Sequence, residues 1–356
     1  MSNPLKVGLV GTGSVALRHL PAFLNYPDTV KLTAVCDIRR EPMEKYAAKA
    51  GVTELYDDFG EMLKKADIDA VDIATIHDQH EAQVLAAAAA GKQIFLEKPM
   101  AVNLKQCNNM VDTTKKAGVT FMVGHDLRYM PDTRAIKQAI ASGELGTVRI
   151  TRCMLIPNLS MAAGGGYHPG SWLNDPKRAG GGLMISGMIH HIDLMRYYVG
   201  DIASVTAVNR SVHNTGTEEY ACATLTYENG AVGDVLVIGA ATRSPVGSQY
   251  TLYGDDGTIM STQAKDPFYQ FGHGLIASKK RGNTAETFNN FAPLSPVMDG
   301  LPTDDPFVNE ILHFAECCRD KKEPLTSGRD NLGTVKVIFG IYEAFKTGKK
   351  VDIARL

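Results

Sequence analysis

Two adjacent histidines and an aspartate lie in an otherwise apolar stretch, MISGMIHHIDLMRYYVG, at residues 184–200. The stretch predicts a helix, on which Ser186, His190 and Asp193 would share one face because steps of four and seven residues nearly complete whole turns. His191 would be rotated by about 100° from His190, so the two cannot bind one ion as zinc ligands do. An imidazole here could exchange a proton near neutral pH. It could equally be a satisfied core residue, which we expect for His191.

A second group that could do chemistry is the lysine of Glu97-Lys98-Pro99, which follows a predicted strand at residues 93–96. Ligands bind at the carboxyl ends of strands in open parallel sheets. A lysine held there among apolar neighbours would be desolvated and could exchange a proton with a substrate hydroxyl. From these residues alone, a surface ion pair between Glu97 and Lys98 is the simpler interpretation.

A glycine-rich loop in VGLVGTGSVALRH, residues 7–19, lies between a predicted strand and a predicted helix. The residues that match the G-x-G-x-x-G/A pattern before Ala16 are Gly11, Thr12, Gly13, Ser14 and Val15. Such a loop lets the backbone approach a pyrophosphate at the helix N-terminus, although a Rossmann-type fold without a dinucleotide remains an alternative. Asp37 ends the second predicted strand, where a carboxylate binds the adenosine ribose hydroxyls and repels a 2′-phosphate. NAD is therefore the predicted cofactor, and Arg39 or Arg40 leaves NADP possible.

The elements that must position these groups change character along the chain. Up to residue 124, short apolar runs alternate with amphipathic stretches, which predicts a doubly wound parallel sheet. The predicted strands are residues 6–10, 31–36, 70–74, 93–96 and 120–123, and two of the predicted helices are residues 79–90 and 104–116. Residues 125–356 predict a largely antiparallel open sheet with helices on one face, and the turns ENG and GDDG predict two hairpins. We expect residues 264–304 to be a long irregular excursion that could be mobile or cover a site.

Composition limits the class of protein. A chain of 356 residues favours two domains, which we place at residues 1–124 and 125–356. The net charge of −2 offers no basic surface for nucleic acid, and no run reaches about 18 apolar residues for a membrane span. The six cysteines show no CxxC pair, which favours a reduced, cytoplasmic protein. The N-terminus shows no secretory leader pattern.

Four further stretches form a recognisable set with the glycine loop. They are ATIHDQHEA (74–82), LEKPMAVN (96–103), GHDLRYMP (124–131) and AGGGLMISGMIHHIDLMRYYVG (179–200). The set resembles the Gfo/Idh/MocA family, the glucose-fructose oxidoreductase and inositol dehydrogenase type of NAD(P)-dependent oxidoreductase. The resemblance runs from about Lys6 to Ile353 and is weakest at residues 264–304. It implies a Rossmann domain, a C-terminal α/β domain whose open sheet often forms oligomer contacts, an active site at their junction, and a homo-oligomer, a dimer or a tetramer.

The resemblance also implies roles for particular residues. Lys98 matches the family lysine that contacts substrate and nicotinamide ribose, His190 matches the active-site histidine, and the Lys98–Pro99 bond is expected to be cis. The further residues assigned to the cofactor are Thr75, His77, His80 and Glu97. TIHDQH stands where the family usually has Thr-Pro-Asn, which leaves the contacts of His77 open.

The substrate side departs from the family at one position. Ser186 stands where many members carry an aspartate four residues before the histidine, and a hydroxyl cannot hold the charge that steadies an imidazolium. Lys98 is therefore expected to be the principal base, and Asp126 could supply the missing carboxylate or be a turn residue. The remaining substrate-side candidates are Arg128, Tyr129, Tyr167, His168 and Trp172, of which Trp172 could equally be a core residue.

These observations predict an NAD(P)-dependent oxidoreductase that interconverts a secondary alcohol and a ketone on a sugar, cyclitol or glycoside. Lys98 and His190 would share the proton transfer, and no metal ion is expected. One alternative is a glycoside-cleaving enzyme that oxidises C3, eliminates the aglycone and keeps its NAD bound. Another is a non-catalytic dinucleotide sensor that regulates a partner protein.

Overall fold

The chain divides into two compact units in a computed structural model, which describes residues 3–156, 170–210, 217–239, 248–261, 274–284 and 290–356. Unit 1 contains Met1–Tyr129 and Leu301–Leu332, and unit 2 contains Met130–Gly300 and Gly333–Leu356. The domains predicted from the sequence, 1–124 and 125–356, differ from this division because a C-terminal segment belongs to unit 1. Asn309 in that segment donates a hydrogen bond to the Tyr129 carbonyl, 3.1 Å away.

Unit 1 is built on six parallel strands in the order β3-β2-β1-β4-β5-β6. They are β1 Leu5–Val10, β2 Val30–Cys36, β3 Glu54–Tyr56, β4 Ala70–Ile73, β5 Gln93–Glu97 and β6 Phe121–Gly124. The five predicted strands are confirmed to within a residue at each end, whereas β3 was not predicted. The strand order reverses between β1 and β4, which is where open α/β sheets bind their ligands.

The helices have local sequence signals at their ends. Their bounds are α1 Ala16–Asn25, α2 Arg40–Ala50, α3 Phe59–Lys65, α4 His80–Ala89, α5 Leu104–Ala117, α6 Pro131–Ala141, α7 Pro176–Ala179, α8 Ile189–Val199, α9 Pro306–Asp320 and α10 Gly328–Thr347. At the start of α5, the Asn103 side chain accepts from the Gln106 N–H, and the helix ends at Gly118 with a φ of +68°, as a glycine C-cap does. Among the helices that the structure describes, none is long and apolar enough to cross a membrane.

Helix α9, although late in the chain, belongs to unit 1 because its apolar side shares the core of that unit. Val308, Ile311 and Phe314 of α9 are buried in one cluster with Leu20 and Phe23 of α1. The burial of apolar side chains is the main stabilising contribution to such packing, about 1.5–3 kcal/mol for each large side chain. Removing Phe314 would therefore be expected to loosen α9 from α1.

Unit 2 is built on nine strands, within the described residues, in the order β14-β13-β12-β11-β7-β10-β9-β8-β15. They are β7 Val148–Leu155, β8 Ile202–Arg210, β9 Tyr220–Tyr227, β10 Val232–Ile238, β11 Gln249–Gly254, β12 Gly257–Ser261, β13 Gly274–Ser278, β14 Ala292–Pro293 and β15 Val351–Asp352. All neighbours are antiparallel except β7 and β10, which are parallel. The hairpins predicted at ENG and GDDG are confirmed as β9–β10 and β11–β12.

The irregular excursion predicted at residues 264–304 is wrong in part. Strand β13 pairs with β12 over its whole length, from Gly257 opposite Ser278 to Ser261 opposite Gly274. The five-residue segment GLIAS is too short to show a two-residue alternation clearly, and its partner strand lies outside the segment. Pairing with β12 in the folded structure therefore determines that this segment is a strand.

Candidate active site

The glycine loop fits a pyrophosphate by two independent features. Gly11 has a φ of +91°, and a Cβ there would lie 2.5 Å from the Ala74 carbonyl oxygen, so only glycine is accommodated. At Gly13, by contrast, a Cβ would meet no described atom within 4 Å. The packing of the chain itself therefore does not require a glycine at position 13. A ligand that approaches the backbone closely would require one, because a side chain would block it. Helix α1 begins after Val15 with no side-chain cap, which leaves its first N–H groups for an anion.

Asp37 follows β2 and holds the loop from the side. Its Oδ2 accepts from the Thr12 N–H at 2.8 Å and from the Thr12 hydroxyl at 2.7 Å, and its Oδ1 accepts from the Arg39 N–H at 2.8 Å. Burial alone would raise the pKa of Asp37, but these hydrogen bonds outweigh it and lower the pKa below its usual value. Asp37 is therefore an anion at neutral pH. The exposed Arg39 guanidinium lies 3.4 Å from it.

An Asp37→Asn variant is expected to shift cofactor preference toward NADP⁺, because it removes the charge that repels a 2′-phosphate and releases Arg39. The ratio of kcat/KM for NADP⁺ to that for NAD⁺ should rise by roughly tenfold, which corresponds to about 1.4 kcal/mol. Steady-state kinetics with both cofactors measures it. Asp57→Asn, on an exposed neighbour, is the control, and an unchanged ratio in Asp37→Asn would exclude a role for this charge in selection.

The loop after β4 carries Thr75, His77 and His80. His80 is completely buried, with Nδ1 2.9 Å from the Pro99 carbonyl and Nε2 3.2 Å from the Thr75 carbonyl. Burial lowers the pKa of His80 and outweighs these contacts, so the ring is neutral and can donate from only one of its two nitrogens. Its position between the two carbonyls links this loop to the loop after β5. His77 is also buried, with its ring 5.8 Å from that of His80. The structure thus places both nitrogens of the His80 ring next to protein carbonyls.

Lys98 lies directly after β5, at the edge where the parallel strands end. The expected cis peptide bond between Lys98 and Pro99 is confirmed. Glu97 accepts the Lys98 backbone N–H at 3.0 Å, and Gly124 on β6 leaves room for the Glu97 carboxylate. Burial lowers the pKa of the half-buried Lys98 amine, and the nearby charges of Glu97 and Asp126 oppose this only in part. The amine is therefore easier to deprotonate than an ordinary lysine.

A buried charged cluster behind Lys98 was not predicted from the sequence. His19 on α1 is completely buried, with Nδ1 2.8 Å from Asp72 and Nε2 3.1 Å from Glu97. Since both nitrogens face carboxylate oxygens, both must donate, and His19 is an imidazolium. Burial lowers its pKa, but Asp72 and Glu97 outweigh burial and raise the pKa well above 6.5. One oxygen of Glu97 is thus committed to His19, and the other to the backbone of Lys98.

Glu310 on α9 also belongs to this cluster, but it differs from the other members in its protonation. It is completely buried, and neither carboxyl oxygen has a hydrogen-bond partner within the described residues. Burial and the negative charges of Asp126 and Glu97 raise its pKa well above 4.5, which favours the protonated, neutral acid. His19, Glu97 and Glu310 each offer one ligand atom within 4.8 Å of the others, the one group of this kind in the described part of the chain. Because His19 already donates from both nitrogens, the arrangement favours an ion-pair cluster over a metal site.

The 3₁₀ turn Asp126–Tyr129 after β6 carries three of the predicted substrate residues. Burial and the charge of Glu97 raise the pKa of Asp126 to about 7, so it exchanges protons near neutrality. The buried guanidinium of Arg128 donates to the Leu325 carbonyl at 3.1 Å and pairs with Asp330 at 2.8 Å. Tyr129 is only 1% exposed. The prediction that Tyr129 faces a sugar is therefore wrong, because apolar packing encloses its ring, and Arg128 braces the turn within unit 1.

In unit 2, the stretch with the two histidines is not one regular helix. A π-helical turn, Met184–Met188, precedes α8, so Ser186 lies in that turn, whereas His190 and Asp193 lie in the regular helix. Asp193 is 1% exposed and accepts from the Thr334 hydroxyl at 2.9 Å. Ser186 and His190 are both half-buried.

The second histidine is a core residue, as predicted. His191 is completely buried, and burial lowers its pKa to about 3, so it is neutral. Trp172 is half-buried in a 3₁₀ turn, Trp172–Asn174. Tyr167 and His168 lie outside the described residues. Of the substrate-side candidates in this stretch, Ser186 lies within the π-helical turn and His190 directly after it, and both are half-buried.

The fold of unit 1 and the glycine loop with its ionised Asp37 define a dinucleotide-binding protein. Two family models match the chain: an oxidoreductase family with an NAD-binding Rossmann fold at residues 5–125, and the GFO/IDH/MocA C-terminal domain at residues 133–260. The chain is 28% identical to D-apiose dehydrogenase of Paraburkholderia graminis, over 99% of this chain and 90% of that protein. It is 27% identical to scyllo-inositol 2-dehydrogenase (NAD(+)) of Bacillus subtilis, over 99% and 97%.

A similar solved structure is that of levoglucosan dehydrogenase in complex with NADH and L-sorbose, with a TM-score of 0.87 and 22% identity over 99% of both chains. That likeness shows the fold. The two family models establish that the chain belongs to the Gfo/Idh/MocA family of oxidoreductases. It is an enzyme with NAD as its cofactor, a dehydrogenase or reductase that acts on CH–OH groups.

Proposed function

We propose that this enzyme interconverts a secondary alcohol and a ketone on a sugar or cyclitol, with Lys98 and His190 exchanging the substrate proton. The observation that carries the proposal is the environment of Lys98, a half-buried amine of lowered pKa at the carboxyl end of β5. The relatives named D-apiose dehydrogenase and scyllo-inositol 2-dehydrogenase support a polyhydroxylated substrate. When bound, NAD⁺ supplies the acceptor for the hydride that leaves the substrate carbon.

The residues of unit 1 prepare Lys98 for proton transfer. Neutral Lys98 accepts the proton of the reacting hydroxyl in the oxidative direction, and its ammonium returns that proton in the reductive direction. The Glu97 carboxylate accepts a hydrogen bond from the Lys98 backbone N–H, which fixes the backbone from which the Lys98 side chain extends. Asp126, whose pKa is raised to about 7, offers a carboxylate whose charge stabilises the ammonium form of Lys98. Gly11, Gly13 and Asp37 would hold the cofactor.

His190 contributes from unit 2 with an imidazole that is half-buried. A side chain of this type donates to or accepts from a substrate oxygen near neutral pH, which suits both directions of the reaction. Ser186 cannot supply the negative charge that an aspartate would, so His190 orients the hydroxyl more than it stores the proton. Lys98 is then the principal base.

A substrate screen tests the proposed function. Cyclitols, monosaccharides, sugar acids and glycosides are supplied with NAD⁺ and NADP⁺ in parallel, and the absorbance of reduced nicotinamide is followed. We expect NAD⁺ to be reduced by a sugar or cyclitol, and His190→Ala to lower kcat by about 10²-fold or more. No reduction with any polyol would contradict the proposal. An aglycone released without accumulation of reduced nicotinamide would favour the glycoside-cleaving alternative.

We further propose that the exposed face of the unit 2 sheet joins copies of this chain into a homo-oligomer. Ile150 on β7 lies opposite Val232 on β10 and Tyr253 on β11, and these three side chains are 46%, 44% and 41% exposed. Val208, on the same sheet, is 66% exposed. Contiguous apolar surface of this kind is characteristic of interaction sites.

Val232→Glu is expected to convert the assembly to single chains, because a carboxylate in the apolar row opposes its burial. Light scattering after size-exclusion chromatography measures the mass. Leu24→Glu, at an exposed leucine on α1 outside this sheet, is the control and should leave the mass unchanged. An oligomer that persists in Val232→Glu would place the interface elsewhere.

A further inference from the structure

Two of the three glycines before the π-helical turn, Gly181 and Gly182, lie against neighbours that leave no room for a side chain. A Cβ at Gly181 would collide with the Tyr342 hydroxyl, and a Cβ at Gly182 would lie 2.7 Å from the Glu218 carbonyl oxygen and 2.9 Å from its carboxylate. Both neighbours come from unit 2, Tyr342 from α10 and Glu218 from the residues that lead into β9. Because these residues are glycines, the Glu218 carboxylate can approach the backbone closely.

Glu218 uses that close approach to bind the backbone at the start of the turn. It is buried, its Oε2 accepts from the Gly182 N–H at 2.9 Å, and its Oε1 accepts from the Met184 N–H at 2.8 Å. The Tyr342 hydroxyl donates to Oε1 at 2.9 Å. Helix starts leave their first N–H groups without intrahelical partners, and a carboxylate stabilises that end. Glu218 thus caps this helix from 36 residues away in sequence.

The segment that Glu218 caps carries the candidate catalytic groups of unit 2. The Ser186 hydroxyl donates back to the Gly182 carbonyl at 2.8 Å, so Ser186 is tied to the same residue that Glu218 holds. The π-helical turn Met184–Met188 leads directly into α8, whose second residue is His190. A π-helical turn is less stable than a regular α-helical one and is frequent at functional sites. Its winding sets the direction of the side chains that follow.

We propose that Glu218 is a positioning residue, which holds the π-helical turn through Gly182 and Met184 and thereby sets the orientation of His190. The inference rests on the role proposed above for His190. Glu218 acts through the backbone and does not contact the substrate. Misplacement of a reacting group by about 1 Å costs about 10²-fold in rate. Loss of this cap is therefore expected to lower kcat, although no reacting group is removed.

Glu218→Gln tests the inference because it keeps the size of the side chain and replaces one acceptor oxygen with an amide NH₂, which opposes a backbone N–H. We expect kcat to fall by about 10- to 100-fold, while the KM for NAD⁺ changes by less than about threefold. Amide hydrogen exchange in the peptide that covers residues 182–188 should become faster. Glu228→Gln, at an exposed position, is the control and should leave kcat and exchange unchanged. Tyr342→Phe removes a hydroxyl that donates to the Glu218 carboxylate but keeps both Glu218 contacts with the backbone, so it should lower kcat less than Glu218→Gln does.

Two results for Glu218→Gln would overturn the inference. If amide hydrogen exchange at residues 182–188 is unchanged, Glu218 is not needed to hold the turn. If exchange is faster but kcat is unchanged well below the melting temperature, Glu218 only stabilises the fold. Glu218→Asp, which keeps the charge with a shorter reach, should recover part of kcat, and it carries the same test if Glu218→Gln does not fold. A fully active His190→Ala would reject the proposed function, whereas the exchange result would still report whether Glu218 holds the turn.

Discussion

Replacing Lys98 with methionine is expected to lower kcat by about 10²- to 10⁴-fold, the usual contribution of a positioned acid or base. Methionine keeps the apolar length of the side chain and removes the amine. Gly11, Gly13 and Asp37, which are proposed to hold the pyrophosphate and the adenosine ribose, are untouched, so the affinity for NAD⁺ should fall far less than kcat does. Steady-state kinetics and a direct titration of NAD⁺ binding measure the two quantities separately.

The pH profile adds a second readout for Lys98. Because burial lowers its pKa below 10.5, the rate of alcohol oxidation in the wild type should rise with pH as the amine loses its proton, with a midpoint below that value. This limb should be absent in Lys98→Met. The control is Lys105→Met, at an exposed position on α5. A Lys98→Met variant that retains more than about a tenth of kcat would assign the proton transfer to another group.

Glu310→Gln is expected to be more stable than the wild type at alkaline pH. Glu310 remains protonated in the folded protein, since its pKa is raised well above 4.5, but it ionises near pH 4.5 in the unfolded chain. Folding therefore takes up a proton above that pH, and the free energy of unfolding falls as pH rises, by up to about 1.4 kcal/mol per pH unit until the folded pKa is passed. Glutamine does not titrate, so the difference between the two proteins should widen with pH.

Denaturant unfolding of both proteins between about pH 5 and pH 9 measures this difference. Glu316→Gln, at an exposed position on the same helix, should show no such widening. Glu310→Ala should be destabilised by roughly 1–3 kcal/mol near pH 5, because it leaves an unfilled space in the core, and this deficit should shrink as pH rises because alanine does not titrate. Parallel curves for the wild type and Glu310→Gln would show that Glu310 is not a buried neutral acid. A wild-type stability that falls on chelation would instead indicate a metal ion at the His19, Glu97 and Glu310 cluster.

Much of unit 1 could be predicted because its signals are local. Each long strand of the parallel sheet is a nearly continuous apolar run, and the glycine loop lies between a strand and a helix in a recognisable order. The strand β3, with three residues, was missed because so short a segment carries no periodicity. In unit 2, ENG and GDDG predicted their hairpins because turn residues determine the pairing of the strands that they join.

The amino-acid sequence by itself determined the dinucleotide-binding half, the motif that carries Lys98 and the stretch that carries His190, because those features depend on residues near one another in the chain. Tertiary structure alone decided which distant groups meet. His19 reaches Asp72 and Glu97 across 53 and 78 positions, and Glu218 reaches Gly182 across 36. Packing likewise enclosed Tyr129 and wound residues 184–188 as a π-helical turn. Periodicity describes the conformation of one segment, whereas the ionisation and orientation of these groups depend on the neighbours that folding brings to them.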